Sequence, residues 1–302
     1  MESKLTFNTQ MEFAYGEPRE LKPGIARLVA NNPSPFTFKG TNTYLVGTKE
    51  LGVIDPGPGD PAHFDAIMHA AAGRPIRHIL ITHTHRDHVD GLPRLKEATG
   101  AKVYARGRTA HSAGVLRMSP SGSEFIDLDF TPDVVLEDGN LVAIDGWTLE
   151  AVATPGHAPD HLCFADSRQG VLFSGDHVMG WNTSVVAPPE GNMADYMRSL
   201  QRLLNRSETV YLPGHGGQIG QPARVVKAYM VHRRWREQAI LEAIRGGHTT
   251  IPAIVALVYS GLDHRLVKAA SLSVLAHVEH LIERGLVRCD GPPALDQTLF
   301  AV

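Results

Sequence analysis

Thr82-His83-Thr84-His85-Arg86-Asp87-His88-Val89-Asp90-Gly91 is the stretch from which the rest of this 302-residue chain can be read. It follows the apolar run His78-Ile79-Leu80-Ile81 and precedes residues of helical spacing, so it reads as a tight loop between a strand and a helix. His83 and His85 are two apart, which near a strand end lets them face the same side. Asp87 and His88 fall at the turn into the helix, where they can face a neighbouring point. A single histidine in a polar loop is usually just solvated. Four imidazole or carboxylate groups within six residues are better read as metal ligands. Nitrogen with oxygen donors suits zinc, with iron or manganese as weaker matches.

Three further signals lie downstream, each after an apolar run. They are Thr154-Pro155-Gly156-His157, Ser174-Gly175-Asp176-His177 and Leu212-Pro213-Gly214-His215-Gly216. Taken singly, each is ordinary turn chemistry. Taken in order, they raise the potential ligands to seven, enough for two ions sharing one carboxylate. Asp55, in Gly52-Val53-Ile54-Asp55-Pro56-Gly57, is another strand-end acid. It either orients a ligand imidazole through a hydrogen bond or starts a Pro-Gly turn.

Further outward, short apolar runs alternate with Gly, Pro and Asp. Strands are expected over 25–30, 43–47, 51–54, 78–82, 102–105, 149–154, 161–166, 171–174 and 209–213, with helices over 61–72, 88–98 and 193–205. Many strands with few intervening helices point to packed sheets covered by helices, an α+β layering. From Gln221 the pattern changes. Pro222 can open a helix reaching Arg245, and helices over 251–259 and 264–284 follow, the last closed by Gly285. Extended runs over 286–289 and 297–302 flank Asp290-Gly291-Pro292-Pro293. Three helices and a hairpin read as a winged-helix unit, which divides the chain into a catalytic domain, 1–220, and a C-terminal domain, 221–302.

Composition sets limits on function. Hydrophobic residues at 43% and charged residues at 20% exclude a wholly disordered chain. Cys163 and Cys289 are too far apart for a thiolate zinc knuckle and suggest no disulfide framework, so a reducing, cytoplasmic setting is expected. No secretory leader or membrane span is evident in the sequence. The net charge of −3 gives no global push toward nucleic acid, although 221–302 carries +3 and the rest −6. Sixteen histidines against eight lysines fit a metal or acid–base role.

The HxHxDH run, then PGH, GD and a late PGH, resemble the metallo-β-lactamase superfamily over roughly residues 25–217. The resemblance implies a four-layer αββα sandwich with a dinuclear site at one edge. It implies that His83, His85 and His157 hold one metal, that Asp87, His88 and His215 hold the other, and that Asp176 bridges them. Asn32-Pro33-Ser34-Pro35-Phe36-Thr37-Phe38-Lys39-Gly40-Thr41-Asn42-Thr43-Tyr44-Leu45-Val46-Gly47 is similar to the N-terminal signature of the β-lactamase-like protein 2 group. The stretches 232–241 and 276–281 look like that group's winged helix. Asp176 departs from true β-lactamases, and His85 stands where flavo-diiron relatives have Glu, so two Zn2+ are implied, with Mn or Fe as substitutes.

The implied reaction is hydrolysis by a metal-bridging hydroxide, with Asp87 and Asp176 as the catalytic carboxylates. Single-stranded RNA is the first substrate implied by the group, and a small-molecule ester or acyl-thioester is the alternative. Arg224, Lys227, Arg233, Arg234 and Arg236 are the basic strip that RNA would need. A winged-helix regulator with a vestigial metal site is the alternative from another class, and a homodimer contact is a further use for that unit. His161 and His177, beside motif residues, are read as structural, and 180–192 (GWNTSVVAPPEGN) as a substrate-facing loop.

Overall fold

The apolar runs form two sheets. The computed structural model describes residues 7–107 and 125–302. The first sheet takes its strands in chain order: β1 (Arg19–Lys22), β2 (Ile25–Val29), β3 (Asn42–Val46), β4 (Leu51–Ile54), β5 (Ile76–Leu80), β6 (Lys102–Ala105) and β7 (Val134–Val135). The second takes β8 (Leu141–Ile144), β9 (Trp147–Ala153), β10 (Leu162–Asp166), β11 (Val171–Gly175) and β12 (Val210–Pro213), again adjacent in chain order. β4 to β7 pair in parallel, as do β11 and β12, and the other neighbours are antiparallel.

The period of two along each strand decides which core a residue joins. Tyr44, Val46, Ile54 and Leu80 meet Leu162, Phe164, Phe173 and Leu212 between the sheets. Their alternates, Leu45, Val53 and Ile79, turn outward to α1 (Pro61–Ala71) and α3 (Leu92–Thr99). On the far side Cys163, Leu172 and Tyr211 meet α4 (Met193–Leu204) and the first half of α5 (Pro222–Arg245). The result is the expected four-layer αββα sandwich. Strands with both faces buried, such as β10 and β11, open in the sequence on unbroken apolar residues, Leu162 to Ala165 and Val171 to Phe173, for this reason.

Three differences from the sequence reading have physical causes. The helix expected over 88–98 is split into α2 (Arg86–Val89) and α3. The split falls at Gly91, whose amide binds the Gly57 carbonyl at 2.9 Å and where a Cβ would lie 2.8 Å from the Pro56 oxygen. The strand expected over 78–82 ends at Leu80, leaving Thr82 and His83 beyond the sheet. β1, β7 and β8 were not expected: β1 is polar, β7 has only two residues, and β8, although apolar throughout, is buried on one face only.

After α5 come α6 (Ile251–Val258), a 3-10 turn (His264–Leu266), α7 (Val267–Glu283) and the antiparallel hairpin β13 (Val287–Cys289) and β14 (Leu299–Ala301). Gly285 closes α7 as expected. At φ 68° it donates to Ile282, while the Leu286 amide reaches back to Leu281, each at 2.9 Å. Ile240 and Ile244 of α5 join Ile254, Val274 and Leu299 in a core of their own, so α5 serves two cores along its length. No described helix is long and apolar enough to cross a membrane.

Candidate metal centre

Five strand ends converge on one edge of the sandwich. β4 leads into Asp55, β5 into the 82–88 loop, β9 into His157, β11 into Asp176 and β12 into His215. Because β4 and β5 run parallel, as do β11 and β12, each pair delivers its side chains to the same end. Backbone bonds stitch the edges of the two sheets: Asn42 N–H to the Gly214 carbonyl at 2.7 Å and Leu162 N–H to the Thr82 carbonyl at 2.8 Å. Close approach depends on glycine. A Cβ on Gly214 would stand 2.4 Å from Asp176 Oδ1, and one on Gly156 would stand 2.3 Å from the Tyr196 Cα.

The seven residues predicted from the sequence come together as overlapping groups whose ligand atoms lie within 4.8 Å of one another. In the first, His83 Nε2 and His157 Nε2 lie 3.0 and 3.1 Å from His85 Nδ1. In the second, Asp87 Oδ2 lies 3.5 Å from His88 Nε2 and 3.3 Å from His215 Nε2. Asp176 stands between them, with Oδ2 3.8 Å from His157 Nε2 and 3.2 Å from His215 Nε2, and Oδ1 3.6 Å from His88 Nε2.

Counting hydrogens shows what this arrangement suits. Each ring has its other nitrogen facing an acceptor: His85 Nε2 meets Glu190 at 2.8 Å, His157 Nδ1 the Val185 carbonyl at 2.6 Å, His88 Nδ1 Asp55 at 2.9 Å and His215 Nδ1 the Gly40 carbonyl at 3.2 Å. Thr82 Oγ1 gives its hydrogen to Asp55 at 2.7 Å, so His83 Nδ1, 3.0 Å away, must donate to it. When neutral, all five rings therefore carry their hydrogen outward and aim a lone pair inward. Three nitrogen lone pairs meet at one point, and two more meet two carboxylates, an arrangement that repels itself unless cations or protons intervene. His88 Nε2 and Asp176 Oδ1 have no hydrogen-bond partner among the described residues although both are buried. The donor set fits divalent metal ions.

The electrostatics divide the two groups. Burial disfavours charge on every ring. It prevails at His83, held well below the usual histidine range with His88 and His85 adding to the effect, and at His157, pushed down to about 4. At His88 the carboxylates of Asp87, Asp176 and Asp55 overcome burial and hold it well above that range. Burial is likewise overcome by Asp176 and Asp87 at His215, raised to about 9, and by Glu190 at His85. Asp87 and Asp176 are themselves held well below the carboxylate range, because His88 and His215 outweigh their burial. Side chains open to solvent most at Asp87, 29% exposed, and His85, 17%, which defines the mouth.

Asp55 serves both groups. One oxygen accepts from the Thr82 amide, while the other accepts from the Thr82 hydroxyl and from His88. Two contributors were not singled out in the sequence. Thr41 donates to Asp87 Oδ2 at 2.9 Å, and Glu190 binds His85. Both lie within stretches the sequence flagged, and Glu190 is the one acid in 180–192. His161 is structural: it meets Thr154 Oγ1 at 2.8 Å and accepts from the Asp176 amide at 3.2 Å. His177 faces away, packing on Tyr196 at 4.6 Å. The basic strip breaks up, since Arg233 is buried and Arg236 lies over the Tyr259 ring at 4.2 Å.

Comparison with known proteins agrees with this fold. The family described as the metallo-beta-lactamase superfamily matches residues 36–215, and the beta-lactamase associated winged helix domain matches residues 250–292. A beta-lactamase-like protein 2 homolog from Caenorhabditis elegans is 34% identical over 234 residues, 76% of this chain and 74% of that protein. An atrochrysone carboxyl ACP thioesterase from Paecilomyces divaricatus is 33% identical over 231 residues, 74% of this chain and 66% of that protein. A solved beta-lactamase domain protein from Burkholderia ambifaria is similar in fold, with a TM-score of 0.81 over 97% of this chain and 95% of that one, at 22% identity.

Proposed function

The chain belongs to the metallo-β-lactamase superfamily and is a metal-dependent hydrolase, and from that premise we propose a dinuclear centre that hydrolyses acyl-thioesters. The observation that carries the centre is the inward convergence of five imidazole nitrogens and two carboxylates, with Asp176 facing both groups. His83, His85 and His157 would hold one ion and Asp87, His88 and His215 the other, with Asp176 facing both groups. Nitrogen-rich ligation favours zinc, and the same set accepts iron or manganese. Such ions, when bound, supply Lewis acidity that lowers the pKa of water toward neutrality and polarises the bond to be broken.

The chain's own residues do the rest. Asp87, steadied by Thr41 through Oδ2 and open at the mouth, accepts the proton of the attacking water. Asp55 and Glu190 fix the ring orientations of His88 and His85 and raise their basicity as ligands. Asp176, its amide held by His161, keeps the two groups at a fixed separation.

Two observations favour a thioester over RNA. Arg233 and Arg236 are withdrawn from the basic strip that RNA would follow, and a relative of 33% identity is named as an acyl-carrier thioesterase. One feature supports the RNA reading. Phe38 and Trp181 stack at 4.8 Å with Lys39 above Phe38, and a Cβ on Gly216, next to His215, would touch Trp181 at 2.7 Å. That is an aromatic and cationic platform near the mouth, of the kind on which bases stack.

The two substrates are separated by testing labelled single-stranded RNA and an acyl-thioester side by side, each with and without chelator. Chelator-sensitive thioester turnover with intact RNA is the expected result. RNA cleavage without thioester turnover transfers the assignment to the second reading, and inactivity on both rejects each.

A further inference from the structure

A second polar site lies away from the metal centre. Between α4, α5 and α7 is a cavity of about 450 Å3 with apolar walls at Met193, Met197, Leu241 and Leu281. That volume suits a small molecule, since such sites run from roughly 300 to 1,000 Å3. Arg233 and His277 also line it, and both are more than nine-tenths buried. Arg233 gives one guanidinium N–H to the Ser184 carbonyl and lies 5.3 Å from the Tyr196 ring centre. Its Nε has no hydrogen-bond partner among the described residues, and neither ring nitrogen of His277 has one. Burial holds His277 well below the usual histidine range, so the ring is neutral and keeps one N–H. Two buried donors are thus left without acceptors, where buried donors are nearly always paired.

The charge in the cavity has a definite sign. Its acid, Glu237, is already taken by His280 Nδ1 at 2.6 Å and by Arg284. Arg233, and Arg234 on the same wall, form no ion pair among the described residues. We propose that this cavity binds a small oxyanion, a carboxylate or a phosphate monoester, on a short apolar tail. The oxyanion accepts from Arg233 Nε and His277, and the tail lies against the methionines and leucines. Arg233 also ties the cavity to the metal centre, because the Ser184 whose carbonyl it holds donates its hydroxyl to the carbonyls of Asp176 and His177. The site stands on its own residues and does not depend on the substrate assignment.

Titration calorimetry of the metal-loaded full chain with hexanoate, hexyl phosphate and hexanol tests it. Both anions are expected to bind once per chain, and hexanol at least tenfold more weakly. Met197→Trp, which fills the cavity, and His277→Leu, which removes the imidazole, should each weaken anion binding tenfold or more. If one variant fails to fold, the other decides. A tenfold gap between the two anions assigns the headgroup within the site. Absence of heat with both anions, equal binding of hexanol, or anion binding unchanged in a folded variant overturns the proposal, the last because the anion would then sit at the metal centre.

Discussion

Glu190 shows how much of the centre depends on a residue that no local pattern reveals. It binds His85 across 105 residues of chain, so no spacing in the sequence could pair them, whereas His83, His85, Asp87 and His88 lie within one loop. Glu190→Gln keeps an acceptor at His85 but removes its charge. Metal affinity should fall roughly ten- to hundredfold, measured by competition with a chromophoric chelator, and an affinity within twofold of the parent would refute the role. Of the fifteen histidines among the described residues, five aim into the centre, and a count alone could not have selected them. The raised His88 and His215 set a pH dependence. With both held protonated above neutrality, metal binding must displace their protons, so affinity rises with pH and falls on acidification. Calorimetry at pH 7 in buffers of different ionisation enthalpy should register proton release on metal binding. A heat independent of buffer would contradict this.

At the scale of elements, the centre is a product of strand ends and the glycines that follow them. Strands buried on both faces announce themselves as apolar runs, and the Gly, Pro or Asp that ends each run places the ligands. That is why β11 and β12 were legible, whereas β7 has only two residues and β8 is buried on one face only. The split between α2 and α3 was hidden because its cause, the approach of Gly91 to the 56–58 backbone, is tertiary. Gly214 offers a direct test, since an added Cβ would collide with Asp176 Oδ1 and come within 2.8 Å of His88 Cε1. Gly214→Ala should weaken binding of the second ion roughly tenfold or more, read by metal content after dialysis alongside a melting curve. Full retention of metal would show that the loop yields without cost.

Across the whole molecule, α5 joins the two parts that the sequence distinguishes. Its start at Pro222 and the close of α7 at Gly285 were legible because both are chemical punctuation. Which way its arginines face was not, because a helical period cannot say what packs against each side. Val226, Tyr229 and Met230 complete the core beneath the second sheet, and the Tyr229 hydroxyl holds the carbonyls of Met179 and Asn182. Tyr229→Ala should therefore cost roughly 3–5 kcal/mol, measured by denaturant unfolding, and a loss below about 1 kcal/mol would mean that this contact matters little. The same packing predicts that a chain cut after residue 220 exposes that core and aggregates.

The paired centre is tested most directly by metal analysis of the purified full chain and of Asp176→Ala. About two divalent ions per parent chain and no more than about one in the variant is the predicted result. A parent chain that carries no metal, or a variant that keeps both ions, would contradict a centre in which Asp176 faces both groups.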